Sequence, residues 1–126
     1  MPRDDGERFS RELPKFLTAF QKVRKDGHFD NFFSEIRSIG DAPDLIFFKL
    51  QALGYLPNRE ADKQSGVGPV FDPSPALESI VRQVEDGSYT VEIRDLKVED
   101  SDWCEGSEAR GRRTNFVLDL WVRRKT

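Results

Sequence analysis

The chain has 126 residues, of which 37% are apolar and 34% charged, and its formal net charge is −3. That length suits one domain with its own core, and ten phenylalanines provide large apolar side chains, which together exclude wholesale disorder. The only cysteine, Cys104, excludes an intramolecular disulfide, and no apolar run approaches the roughly 20 residues of a membrane span. The charged N-terminus lacks the apolar stretch of a secretory signal. We therefore expect a single domain over residues 1–126 that is soluble, cytoplasmic and independent of membranes.

The beginning of the chain carries the spacing of an amphipathic helix. Residues 1–8 are highly charged and are expected to be flexible. Ser10 suits a helix N-cap, and Asp26 and Gly27 suit the end of the helix. Between these signals, apolar residues recur with helical spacing and predict one face turned to a core: Phe9, Leu13, Phe16, Leu17, Phe20 and Val23.

The same spacing predicts two more helices, so that residues 9–54 form the helical part of the domain. The second helix ends at Gly40 and turns apolar residues inward, namely Phe29, Phe32, Phe33, Ile36 and Ile39. The third begins at Asp41 or Pro43, ends at Gly54 and is apolar almost all round, which is typical of a helix covered on several sides. These stripes predict a core that includes Phe16, Phe20, Phe33, Phe47 and Leu120.

Residues 55–73 are rich in proline, glycine and polar residues and predict a long connection. Within it, residues 67–71 could form a short strand, which Pro69 would restrict to a sheet edge. Ser74 as N-cap and Pro75 at the first helical position then predict a helix that ends at Asp86 and Gly87.

After Gly87 the apolar spacing changes from about 3.6 to 2, so residues 74–126 are predicted to hold one helix followed by antiparallel strands. Apolar residues alternate from Tyr89 to Ile93 and then change parity, which predicts a bulge near Arg94 and Asp95. The clearest strand carries Phe116, Leu118, Leu120 and Val122, and the segment 99–113 holds either a long loop or a third short strand. Helices first and strands last predict an α+β fold, with helices packed on one face of a small C-terminal antiparallel sheet.

An alternative fold comes from a resemblance. The helix at 75–85, followed by the stretches 91–96 and 120–124, resembles the helix-and-curved-sheet cone of nuclear-transport-factor-2-like proteins over about the last fifty residues. This resemblance implies a cone-shaped α+β domain.

Chemistry-bearing motifs are sparse. His28 is the only histidine, and neither a G-x-S-x-G nucleophile elbow nor a cysteine-protease signature is present. One histidine and one cysteine cannot supply a tetrahedral zinc site, so we expect no metal and no cofactor. If the chain is a small enzyme or ligand-binding domain, its pocket would lie between helices and sheet, with His28, Asp30 and Tyr55 as candidate residues.

The C-terminal strand offers the stronger candidate site. Residues 110–126 contain six basic side chains and one acidic one, and the second face of the strand carries Val117, Asp119, Trp121 and Arg123. The candidate partner-binding residues are Arg110, Arg112, Arg113, Trp121, Arg123 and Arg124. The plainer interpretation is that these arginines pair with acidic residues on the adjoining arm, as in ordinary cross-strand pairs.

We therefore expect a non-enzymatic binding or regulatory module that holds an acidic protein partner on its C-terminal strand face. Nucleic-acid binding through the same basic strand is an alternative, because aromatic and arginine side chains on a sheet can stack bases and contact phosphates. A filled aromatic interior would favour the binding module, and an open cavity with inward polar groups would favour the enzyme or ligand binder.

Overall fold

A computed structural model describes residues 4–39, 44–56, 72–105 and 108–124 of the chain. Within these ranges two helices and four strands follow one another: α1 Gly6–Asp26, β1 His28–Ile39, β2 Leu45–Leu56, α2 Ser74–Glu85, β3 Tyr89–Glu105 and β4 Glu108–Arg124. All strand neighbours are antiparallel, and the sheet order is β1-β2-β4-β3. The predicted α+β class is confirmed, whereas the nuclear-transport-factor-2-like alternative stays a prediction.

The first helix follows its predicted stripe, with Phe9, Leu13, Phe16, Phe20 and Val23 all buried. It begins at Gly6 with Asp5 as its N-cap, so the predicted N-cap at Ser10 is wrong, whereas the flexibility of residues 1–8 stays a prediction. The reason lies just before the helix. The Asp5 N–H donates to the Val91 carbonyl at 2.6 Å, and the Asp5 carboxylate accepts from the Ile93 N–H at 2.8 Å. These bonds attach the start of α1 to β3.

The predicted second and third helices are wrong, because both segments are strands. In β2 the buried positions alternate from Phe48 through Leu50 and Ala52 to Gly54, which is the period of a strand. The sequence hides this alternation because residues 45–48 are all apolar, on both faces of the strand. Short apolar runs do not distinguish a strand from a buried helix by periodicity alone, and aromatic residues favour strands.

Among the described residues, three irregularities interrupt the strand pairing. One lies in β1 between Asp30 and Phe33, where Asn31 adopts a positive φ of 53°. A second lies in β3 between Ile93 and Asp95 and confirms the predicted bulge, and a third lies between Trp103 and Cys104 in the same strand. The described residues of the segment 99–113 form neither a long loop nor a separate third strand, because 99–105 continue β3 and 108–113 continue β4, and the two strands pair as far as Glu105 and Glu108.

Both helices cover one face of the sheet, and aromatic rings fill the space between the layers. Phe20 stacks on Phe29 with ring centroids 4.7 Å apart, and the Phe116 ring meets Phe16 and Phe20 edge-on at 5.6 and 5.4 Å. Burial of Phe16, Phe20 and Leu120 is confirmed. The predicted burial of Phe33 and Phe47 is wrong, because their strands turn these two rings to the other face of the sheet.

The predicted helix is present, but it starts one residue earlier than predicted: Pro73 is its N-cap, Ser74 its first residue, and Pro75 lies in its first turn. The side chain that accepts from the start of this helix is Asp72 rather than the predicted Ser74: the Ser74 N–H donates to the Asp72 carboxylate at 3.0 Å. The Ser74 hydroxyl instead accepts from the side-chain amide of Gln21 in α1, at 2.8 Å. Most of the predicted connection, including the possible strand at 67–71, lies outside the described residues. No helix in the described part of the chain is long and apolar enough to cross a membrane.

Candidate functional site

The sheet has a second face, opposite the helices, which we call the open face. The strand register shows which residues belong to the open face, because paired residues in antiparallel strands point to the same side of the sheet. Trp121 lies opposite Phe47 on β2 and opposite Glu92 on β3, and all three alternate with core residues. The aromatic and aliphatic residues of the open face are Phe33, Leu45, Phe47, Leu53, Tyr55, Val117 and Trp121.

The centre of this face is a cluster that we call the Trp121 cluster: Phe47, Glu92, Arg94, Trp121 and Arg123. The rings of Phe47 and Trp121 meet edge-on, with centroids 5.3 Å apart and planes at 89°. The Arg94 guanidinium carbon lies 4.4 Å from the centroid of the indole, and that of Arg123 lies 5.5 Å from it. Arg94 Nη1 also donates to the Glu92 carboxylate at 2.9 Å. The indole of Trp121 is therefore half-buried by the guanidinium groups of Arg94 and Arg123 and by the ring of Phe47. No described helix or strand packs on top of it.

The apolar character of the open face extends beyond the cluster. Leu45, Leu53, Tyr55 and Val117 are half-buried along β2 and β4, and Phe33 on β1 is 46% exposed. An antiparallel sheet that faces water normally alternates polar residues on that side. A run of apolar side chains across three strands is instead typical of a surface that another molecule covers.

Charges of both signs surround the apolar residues. Glu35 pairs with Arg37 at 3.1 Å, Asp95 lies 4.0 Å from Lys97, and Lys49 lies opposite Asp119 in the register. Among the residues that the structure describes, Arg123 makes no ion pair. Its contact with the indole leaves the guanidinium donors available to an incoming carboxylate.

The structure separates the predicted partner-binding residues. Trp121, Arg123 and Arg113 lie on the open face, but the two arginines are ten positions apart in β4, or about 33 Å. Arg112 points to the helix side and pairs with Asp100 at 3.4 Å, so the plainer interpretation holds for that residue.

The remaining two predicted residues are Arg124 and Arg110, and neither is seen to contact the Trp121 cluster. Arg124 lies at the end of β4, with its guanidinium carbon 6.0 Å from the ring centroid of Tyr89. Hydrogen bonding to Tyr89 raises the pKa of Arg124 above its ordinary value. Arg110 belongs to β4, but its side chain lies outside the described part of the structure.

The alternative pocket residues also lie on the open face, rather than between the helices and the sheet. The rings of His28 and Tyr55 stack with centroids 5.0 Å apart and planes at 12°, and Asp30 is exposed opposite Leu53. His28 Nδ1 is buried and has no hydrogen-bond partner among the described residues. The placement predicted for this pocket is therefore wrong, because the space between the layers is filled by phenylalanines.

Sequence reasoning missed Phe47, Glu92 and Arg94. The alternation in β4 identifies Trp121 without a structure, but its neighbours depend on which residues of other strands lie beside it. The interpretation of residues 41–54 as a helix hid Phe47. The signal for Arg94 was the bulge, which lets both Arg94 and Asp95 leave the core side.

Among the described residues, no group of three or more histidine, cysteine, aspartate or glutamate side chains could hold a metal ion. The absence of a metal and of a cofactor stays a prediction. No protein-family model, no curated protein and no solved structure matches this chain.

Proposed function

We propose that this chain is a non-enzymatic binding or regulatory module that holds an acidic protein partner on the open face of its sheet, centred on the Trp121 cluster. One observation carries the proposal. The rings of Trp121 and Phe47 meet edge-on on a face that no described helix covers, and the guanidinium groups of Arg94 and Arg123 both lie against the indole.

Residue type supports a protein partner. Tryptophan and arginine are among the residues most enriched in the energetic hot spots of protein interfaces. The core packs without Trp121, since Phe116, Leu118, Leu120 and Val122 occupy the helix side of β4 and are all buried. The indole is thus available to a partner without loss of core packing.

Charge supports an acidic partner. Arg94 already shares its charge with Glu92, whereas Arg123 makes no ion pair among the described residues. A partner carboxylate placed beside Arg123 would accept a charge-assisted hydrogen bond from the guanidinium group, next to the indole of Trp121, which keeps water away from one side of that group. Such complementarity guides the encounter and its orientation more than it raises affinity.

Two observations weigh against the alternatives. The space between the helices and the sheet is occupied by packed rings, which disfavours an enzyme or ligand pocket there. Asp119, Asp95 and Glu92 lie on the same face as Trp121, and their charges oppose the continuous row of phosphates of a nucleic acid more than a single carboxylate placed beside Arg123.

The test compares partner capture by the wild-type chain and by the double variant Trp121→Ala/Arg123→Glu. Immobilised chain is exposed to lysate of its own cell, with and without nuclease, and the captured proteins are identified and then titrated in purified form. We expect nuclease-resistant capture of an acidic protein, lost in the double variant and weakened by added salt. The matched control is Val81→Ala/Arg82→Glu on α2, which makes the same kind of change on the helix layer and should preserve capture.

Two results would contradict the proposal. Equal binding of the purified partner to the double variant would show that the open face is not the site. Capture that disappears with nuclease would favour nucleic acid as the ligand.

A further inference from the structure

The sheet has two edges, and the structure treats them differently. β3 forms one edge, where Asp5 binds the backbone at Val91 and Ile93 and the bulge at Arg94 follows. Covers, bulges and closely spaced charges are the devices by which proteins prevent an edge strand from pairing with another chain. The β3 edge is therefore protected over this stretch.

The other edge is β1, whose bulge ends at Phe33 and is followed by a regular stretch that no other described segment covers. Its regular part runs from Phe33, just after the bulge, to Ile39. Among the described residues, no segment pairs with the outer side of this stretch. Phe33 is 46% exposed on the open face, and Ile36 is 52% exposed on the helix side. An edge strand that exposes large apolar side chains on both faces is a template for strand pairing.

The sequence of this edge is complementary to itself. Ile36 is the midpoint of the regular stretch 33–39. In an antiparallel pair of two copies centred on Ile36, Glu35 of each copy lies opposite Arg37 of the other, twice by symmetry. Glu35 and Arg37 lie on the same face of β1, and their side chains are 42% and 70% exposed, respectively. Both are thus available to form the crossed ion pairs.

We propose that β1 pairs antiparallel with β1 of a second copy of this chain, about a two-fold axis at Ile36. The pairing joins two four-stranded sheets into one of eight strands and brings the two Ile36 side chains together on the helix side. It satisfies the outward backbone groups of β1 with those of an identical strand.

This interface is independent of the proposed partner site. β2 separates β1 from β4, so Trp121 lies about 10 Å from the edge strand, two strand spacings away. The dimer leaves the Trp121 cluster uncovered and presents it twice on one continuous face. Loss of dimerisation and loss of partner capture can therefore be measured separately.

The experiment is sedimentation of the purified chain over a concentration series from micromolar to submillimolar. A single strand pair buries less surface than most stable dimers, so we expect a concentration-dependent monomer–dimer equilibrium. The variants Glu35→Arg and Arg37→Glu each place like charges opposite one another at two symmetric positions, and each should weaken the dimer by roughly tenfold or more.

Two combinations restore complementarity. The double variant Glu35→Arg/Arg37→Glu should dimerise like the wild type. An equimolar mixture of the two single variants should form a heterodimer, although neither variant pairs well with itself. The matched control is Glu99→Arg on β3, the same charge reversal at the other side of the sheet, which should leave the dimer unchanged.

Circular dichroism and urea unfolding confirm that each variant keeps the fold. A chain that stays monomeric throughout the series overturns the proposal. So does a dimer that is insensitive to both single reversals, or a mixture of the single variants that fails to associate.

Discussion

Phe47 and Phe48 are neighbours in β2, yet their rings lie on opposite faces of the sheet. Phe48 is fully buried under the helices, whereas Phe47 is half-buried against Trp121. We expect Phe48→Ala to lower the free energy of unfolding by roughly 3–5 kcal/mol, as for a core aromatic residue. Phe47→Ala should lower it by less, roughly 1–2 kcal/mol, because the half-buried ring loses one aromatic pair and only part of its surface was removed from water. Urea denaturation measures both, and equal losses would mean that the assignment of the two faces is wrong.

Asp72 couples the two helices through one carboxylate. Its Oδ1 accepts from the Ser74 N–H at 3.0 Å and from the Gln21 amide at 2.6 Å, and its Oδ2 lies 3.7 Å from Arg24 Nη1. The backbone hydrogen bond from Ser74 is the main cause that holds the pKa of Asp72 below its ordinary value of 3.8.

This lowered pKa predicts an acid-dependent part of the stability. Because the folded-state pKa lies below the unfolded one, the contribution is fully present above pH 3.8 and is lost as the pH falls through the folded value. The side chain is 37% exposed, so the effect should not exceed about 1 kcal/mol. In Asp72→Asn the free energy of unfolding should decline less between pH 4 and pH 2 than in the wild type. Equal slopes for the two proteins would contradict the role of this carboxylate.

At the scale of the element, the sequence predicted the segments in which one face is apolar and the other is mostly charged or polar. α1, α2 and β4 show a clear period because their other faces carry charged or polar residues, as at Lys22, Arg82 and Asp119. β1 and β2 were missed because both of their faces contain apolar residues, one for the core and one for the open face. The apolar residues that make the open face a candidate site are therefore also the ones that hid the strand alternation of β1 and β2 in the sequence.

The hydrogen bond from the Ile93 N–H to the Asp5 carboxylate, at the β3 edge, can be tested by substitution. Asp5→Ala removes the acceptor for the Ile93 N–H and should lower the free energy of unfolding by about 1–3 kcal/mol, because the lost bond is charge-assisted. Asp5→Asn keeps an acceptor oxygen and should lose less. Hydrogen exchange at the Ile93 amide should accelerate in Asp5→Ala. An unchanged exchange rate would mean that α1 does not protect this edge through the carboxylate.

At the scale of the whole molecule, the sequence predicted the part of the site that lies on β4 and missed the part that lies on β2 and β3. Parity within β4 identified Trp121 and Arg123, because alternation is a property of a single strand. Arg112 belonged to the same basic run but lies on the other side of the sheet, beside Asp100. A cluster of charge in the sequence becomes a cluster in space only when its members share a face.

Folding and binding should be separable in this architecture, because the core lies on one side of the sheet and the Trp121 cluster on the other. Trp121→Ala/Arg123→Glu removes the edge-on contact with Phe47 and the contacts of two guanidinium groups with the indole, which together amount to about 1.5–3.5 kcal/mol. Phe116→Ala, on the helix side of the same strand, should lower the free energy of unfolding by roughly 3–5 kcal/mol. Urea denaturation of both variants beside the capture experiment distinguishes the two roles. A loss in the double variant as large as that of Phe116→Ala would show that Trp121 holds the fold, and loss of capture would then be a consequence of unfolding.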